Sequence, residues 1–88
     1  MTTATRSITI TDPVGIHARP ASQLASTAAQ SGCEVTIAKH AGEPGVNASS
    51  ILSIMSLGIN QGDTVQITVK GDDAEAVADH VVKAVKGE

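Results

Sequence analysis

Three stretches of this chain place an apolar residue at every second position. Val65, Ile67 and Val69 alternate with polar residues, Val35 and Ile37 follow Cys33 in the same phase, and Ile8 and Ile10 flank Thr9. A period of two belongs to a strand with one face buried and the other wet. Strands of that kind assemble as an antiparallel sheet covered on one side. Two other segments follow a helical period. Ala21, Leu24, Ala25 and Ala28 fall at i, i+3, i+4 and i+7, and Ala74, Val77, Ala78, Val81, Val82 and Val85 form a second stripe. Sheet and helices therefore bury their apolar sides against each other in an α+β fold.

The breaks are equally readable. A strand over 6–12 ends in Asp12-Pro13-Val14-Gly15, and a helix over 18–30 tolerates Pro20 in its first turn and ends at Ser31-Gly32. Residues 40–45 form a turn, Val46 to Ala48 a short edge strand, and Asn60-Gln61-Gly62-Asp63 a second turn before the strand over 64–70. The last helix opens after Gly71 with Asp72 as cap and Asp73 and Glu75 in its first turn, while Lys83 and Lys86 suit its C-terminal end. Residues 50–57 hold more apolar groups than one face of two helical turns can bury. Some of Ile51, Leu52, Ile54, Met55 and Leu57 should therefore remain exposed. Gly58 ends this helix.

With 88 residues the chain supports one domain, residues 1–88. It has no Phe, Trp or Tyr, so its core is a thin layer of Ala, Val, Ile and Leu, and recognition by aromatic stacking is excluded. The net charge is −3 and the basic residues are scattered, which argues against nucleic acid as a partner and favours a protein surface or a small phosphorylated group. A single cysteine, Cys33, cannot form an internal disulfide and reads as an apolar strand residue. No apolar run matches a signal peptide or a membrane span, so a cytoplasmic location without membrane insertion is expected.

The position most suited to chemistry is His17. It follows a glycine-containing turn and precedes a helix whose first turn holds Ala18, Arg19 and Pro20. The unpaired N–H groups at a helix start hold anions. An imidazole there is placed to accept a phosphoryl group, and the Arg19 guanidinium can grip its oxygens. The competing reading is a histidine that merely caps the helix. His40 and His80 read as exposed surface groups, and the spacing of His, Cys and acidic residues suits no metal site.

The run Gly15-Ile16-His17-Ala18-Arg19-Pro20-Ala21 resembles the phosphorylation-site motif of HPr, the histidine-containing phosphocarrier family of the bacterial phosphoenolpyruvate-dependent sugar phosphotransferase system. The run from Val46 to Gly58, which includes Asn47-Ala48-Ser49-Ser50-Ile51-Leu52, resembles that family's serine-site helix. The two motifs occur in order, and the likeness extends from about Arg6 to Lys86. It implies an open-faced β-sandwich with strand order 1-4-2-3 and three helices on one face. It further implies that His17 is the phosphoacceptor through Nδ1, that Arg19 assists, and that the protein is a carrier without turnover of its own and without a cofactor. Enzyme I would be the donor and the EIIA domain of a sugar permease the acceptor. Ile16, Ala18, Ala21, Ile51, Leu52 and Met55 would form the partner-binding patch, with Ile54 and Leu57 turned inward, on a protein expected to be a monomer; from the residues alone, ordinary core is the alternative for about half of them. Ser50 matches the family's regulatory serine, a substrate of HPr kinase/phosphorylase; from the residues alone, a plain helix cap is an equal alternative. Ser49 departs from the family by standing where a basic residue is frequent, and Leu52-Ser53 stand where Met-Gly is common. Alternatives are a carrier of a nitrogen-regulatory branch, a non-catalytic regulatory relative, and a plain interaction module.

Overall fold

The computed structural model describes residues 2–10, 18–40, 42 and 45–86, excepting the side chains of residues 18–20 and 86. The elements run β1 (Thr2–Thr9), α1 (Ala18–Gln30), β2 (Glu34–Ala38), β3 (Val46–Asn47), α2 (Ile51–Ser56), β4 (Thr64–Gly71) and α3 (Ala74–Lys86). The four strands form one sheet in the order β1-β4-β2-β3, and every neighbouring pair is antiparallel. The three helices lie on one face, as the one-sided alternation requires.

The core sits between that face and the helices. The strands supply Ala4, Ile8, Val35, Ile37, Val65, Ile67 and Val69, while α1 supplies Ala21, Leu24, Ala25 and Ala28. Ile54 enters from α2, and Ala74, Ala78, Val81, Ala84 and Val85 enter from α3. Alanine on the facing stripes lets the helices approach closely, which compensates for the lack of large side chains. The opposite face of the sheet is polar and carries Thr3, Thr5, Ser7 and Thr9 on β1 with Thr68 and Lys70 on β4.

Several boundaries differ from expectation by one residue, with β2 starting at Glu34, β3 ending at Asn47 and β4 running to Gly71, and two further differences are larger in consequence. β1 begins at Thr2, because it pairs with β4 along its whole length, from Thr2 opposite Gly71 to Thr9 opposite Thr64. A partner strand and β-branched threonines supply the strand character that an apolar alternation does not signal there. Ile10 stays buried beyond the end of β1; residues 11 and 12, the rest of the expected strand, lie outside the described residues. In α3 the cap is Asp73 and not Asp72. The Asp73 carbonyl accepts the first helical bond, from Val77 N–H at 2.9 Å, and its φ is +58°. The Asp72 carbonyl instead accepts from the Cys33 thiol at 3.2 Å.

Candidate functional site

His17 directly precedes Ala18, the first residue of α1. Residues 11–17, with Asp12, Ile16 and His17, lie outside the described residues, as do the side chains of Ala18 and Arg19. The described structure fixes what surrounds that segment in sequence. On one side α1 is anchored by Ala21 and Leu24, both with no exposed surface. On the other side Ile10 is held by two backbone bonds of 2.8 Å: its N–H donates to the Asp63 carbonyl, and its carbonyl accepts from Gly62 N–H.

α2 packs against α1. Its start is fixed by Ser50, which occupies the N-cap in an extended conformation, its hydroxyl accepting from Ser53 N–H at 3.3 Å. That arrangement satisfies one of the free amides of the first turn. Its end is fixed by Gly58, whose φ of +63° is open to glycine and strained for other residues. Six residues give only one buried side chain, Ile54 at 1% exposure. Leu57 packs partly buried against the core. Leu52 is 83% exposed, and Ile51 and Met55 are 42% and 43% exposed. The expected apolar surface is therefore present on α2.

Ala21 is a correction. It lies on the buried stripe of α1 with Leu24, so it is core and presents no surface to a partner.

His40 and His80 are exposed, on a turn and on α3. Cys33 is half-buried just before β2, and its thiol is turned to the Asp72 carbonyl. Among the described residues no group of three or more His, Cys, Asp and Glu side chains is placed to hold a metal. No helix among them is long and apolar enough to cross a membrane.

Two ionic clusters escaped the sequence reading. Arg6 spans from β1 to α3, with Nη2 3.0 Å from Glu75 Oε2 and Nε 3.4 Å from Asp79 Oδ1. The Glu75 hydrogen bond, aided by the charges of Glu75 and Asp79, raises the guanidinium above its ordinary value despite some desolvation. The signal was its phase: Arg6 shares the helix-facing side of β1 with Ala4 and Ile8, where a cation needs carboxylates. The second cluster joins Lys39, which follows β2, to the end of α2 and the start of β4. Lys39 Nζ donates to the Gly58 carbonyl at 3.2 Å and lies 3.8 Å from Asp63 Oδ2.

Comparison with known proteins places the chain in a family. Residues 4–87 match the family model PTS-HPr, described as the PTS HPr component phosphorylation site. The phosphocarrier protein HPr of Mycoplasma pneumoniae is 44% identical over 78 residues, covering 89% of this chain and 86% of that protein. The crystal structure of an HPr from Bacillus anthracis superposes with a TM-score of 0.82 at 31% identity, covering 94% of this chain and 96% of that one. An HPr dimer structure from Thermoanaerobacter tengcongensis gives 0.70 at 36% identity, covering 91% of this chain and 90% of that one.

Proposed function

Because the chain belongs to the HPr family of phosphocarrier proteins of the phosphotransferase system, we propose that it carries a phosphoryl group on His17 from phospho-enzyme I to the EIIA domains of sugar permeases. The observation that carries this reading is that His17 stands in the Gly15–Ala21 run, directly before Ala18, the first residue of α1, and within the residues 4–87 that the family model covers.

The chemistry follows from that place. The Nδ1 lone pair attacks the phosphorus as the bond to the donor breaks, and the imidazole becomes a phosphohistidine. The first amides of α1 have no intrahelical acceptor and offer donors to the phosphoryl oxygens. Arg19 supplies a forked cation to the same oxygens. None of these groups consumes the phosphoryl, so the protein is a carrier and not an enzyme, and it needs no cofactor.

A carrier must dock on two kinds of partner and leave both quickly. Ile51, Leu52 and Met55 suit this, with Ile16 and Ala18 as the remaining members of the patch. Exposed aliphatic side chains give contact area without the Trp, Tyr and Arg anchors that dominate tight interfaces. Methionine adapts its shape to different partners. A monomeric working form in the cytoplasm fits this role.

Ser50 is the regulatory position in this reading. Its hydroxyl lies next to Ile51 in sequence, so a phosphate there adds about two negative charges at the edge of the docking patch and weakens binding of enzyme I.

The test is incubation with enzyme I and radiolabelled phosphoenolpyruvate. The expected label is acid-labile, base-stable and absent from His17→Ala; label that persists in that variant rejects His17 as the acceptor.

A further inference from the structure

We infer that Lys39 is a positioning residue for phosphoryl transfer, locking the exit of α2 to the backbone that leads into residues 11–17. The inference rests on the reading of His17 as acceptor and goes beyond it to a residue outside the family motif.

The connection is continuous. Gly58, at the end of α2, donates its N–H to the Met55 carbonyl at 3.3 Å, and so is tied to the last turn of the docking helix. The Gly58 carbonyl accepts from Lys39 Nζ at 3.2 Å and from Asn60 Nδ2 at 3.1 Å. Lys39 Nζ also faces the Asp63 carboxylate at 3.8 Å. Asp63 Oδ2 accepts Asn60 N–H at 2.9 Å. The Asp63 carbonyl in turn receives Ile10 N–H, and its neighbour Gly62 donates to the Ile10 carbonyl. Ile10 is the last described residue before the segment 11–17.

Lys39 thus joins two elements by one ammonium group, with its stem rooted just after β2. The Lys39 and Asp63 side chains are only 29% and 27% exposed, so solvent screens the pair less than an open surface ion pair. Without the ammonium, the Gly58 carbonyl keeps one donor and the Asp63 carboxylate loses its cation. The turn 60–63 keeps its bonds to Ile10 and the Asn60 bond to Gly58, but it loses its ionic tie to the end of β2, so turn and Ile10 can move together against the sheet. Transfer between two proteins depends on fixed geometry between docking surface and reacting nitrogen, and small misplacements there cost rate.

The experiment compares wild type, Lys39→Met, Lys39→Arg and Asp63→Asn by three measurements. These are amide hydrogen exchange, thermal melting, and the rate of phosphorylation by enzyme I with phosphoenolpyruvate. Lys39→Met is expected to speed exchange at Ile10 and Gly62 while the central strand amides of Val65 and Val69 stay protected. It is also expected to lower the maximal transfer rate about tenfold in a fully folded protein. Lys39→Arg restores the rate, and Asp63→Asn reproduces part of the loss. A Lys39→Met protein with unchanged Ile10 exchange and wild-type rate overturns the inference. So does a loss that tracks global unfolding across all amides and is not rescued by arginine. If wild type itself takes no phosphoryl group, the carrier reading fails and this inference falls with it, an outcome distinct from a failure confined to Lys39.

Discussion

Arg6 Nη2 stands 3.0 Å from Glu75 Oε2, and this contact joins the edge strand β1 to α3. A second contact, at 3.4 Å from Asp79, approaches the same guanidinium one helical turn further on. Arg6→Met is expected to lower Tm at low salt, and the gap from wild type is expected to narrow toward 1 M salt, where the Debye length is about 3 Å. The guanidinium is raised in the folded state, so its contribution is complete below its unfolded value and is lost only in strongly alkaline solution. The gap should therefore be flat on the alkaline side of neutrality, up to about pH 9. Thermal melts over salt and pH check this.

Leu52 and Ile54 sit two residues apart on α2 with opposite environments, 83% and 1% exposed. Leu52→Asp is expected to leave Tm nearly unchanged while weakening transfer from enzyme I through a higher KM. Ile54→Ala removes buried volume and is expected to cost about 2–5 kcal/mol of stability. Denaturant titration together with phosphorylation kinetics separates the two.

Ser50 is both the cap of α2 and the proposed regulatory site. Ser50→Ala removes the acceptor for Ser53 N–H and is expected to cost about 1 kcal/mol. Ser50→Asp keeps a capping oxygen, so its stability should stay near wild type while enzyme I binding weakens. Calorimetric titration of the two variants checks the split; equal affinities for Ser50→Asp and wild type would remove the regulatory role.

Gly71 ends β4 with φ +148°, and a Cβ added there would meet the Cys33 sulfur at 2.8 Å. Gly71→Ala is expected to be destabilising by more than about 1 kcal/mol, since both the conformation and the space oppose it. Adding Cys33→Ala should recover only the part due to the sulfur, since the Cβ and Cα of residue 33 stay at 3.2 and 3.3 Å, and it leaves the conformational part. A double-mutant cycle in urea measures the coupling.

Much of this was legible in the chain itself, for identifiable reasons. The Leu24 stripe and the Val65-Ile67-Val69 alternation survive into the fold because each side chain does one thing, facing core or water. That some apolar residues of 50–57 stay exposed was legible because a helix of six residues has room to bury only one face; the family likeness singled out Ile51, Leu52 and Met55. Ala21 misled: a small residue close to His17 in sequence suits an open surface, yet its phase with Leu24 decides its burial. The first half of β1 was hidden because Thr2, Thr3 and Thr5 become strand through β4, a partner distant in sequence. Arg6 and Lys39 were hidden for the same reason. Each reaches carboxylates that only the folded sheet order brings near.

The carrier role is tested by following one phosphoryl group in and out of the protein. The protein is charged with enzyme I and phosphoenolpyruvate, examined by phosphorus NMR, and then mixed with an EIIA domain. A single phosphohistidine at Nδ1 of His17 is expected, and it disappears as the EIIA domain becomes phosphorylated. A phosphoryl group on His40 or His80, or one on His17 that the EIIA domain never removes, would contradict that role.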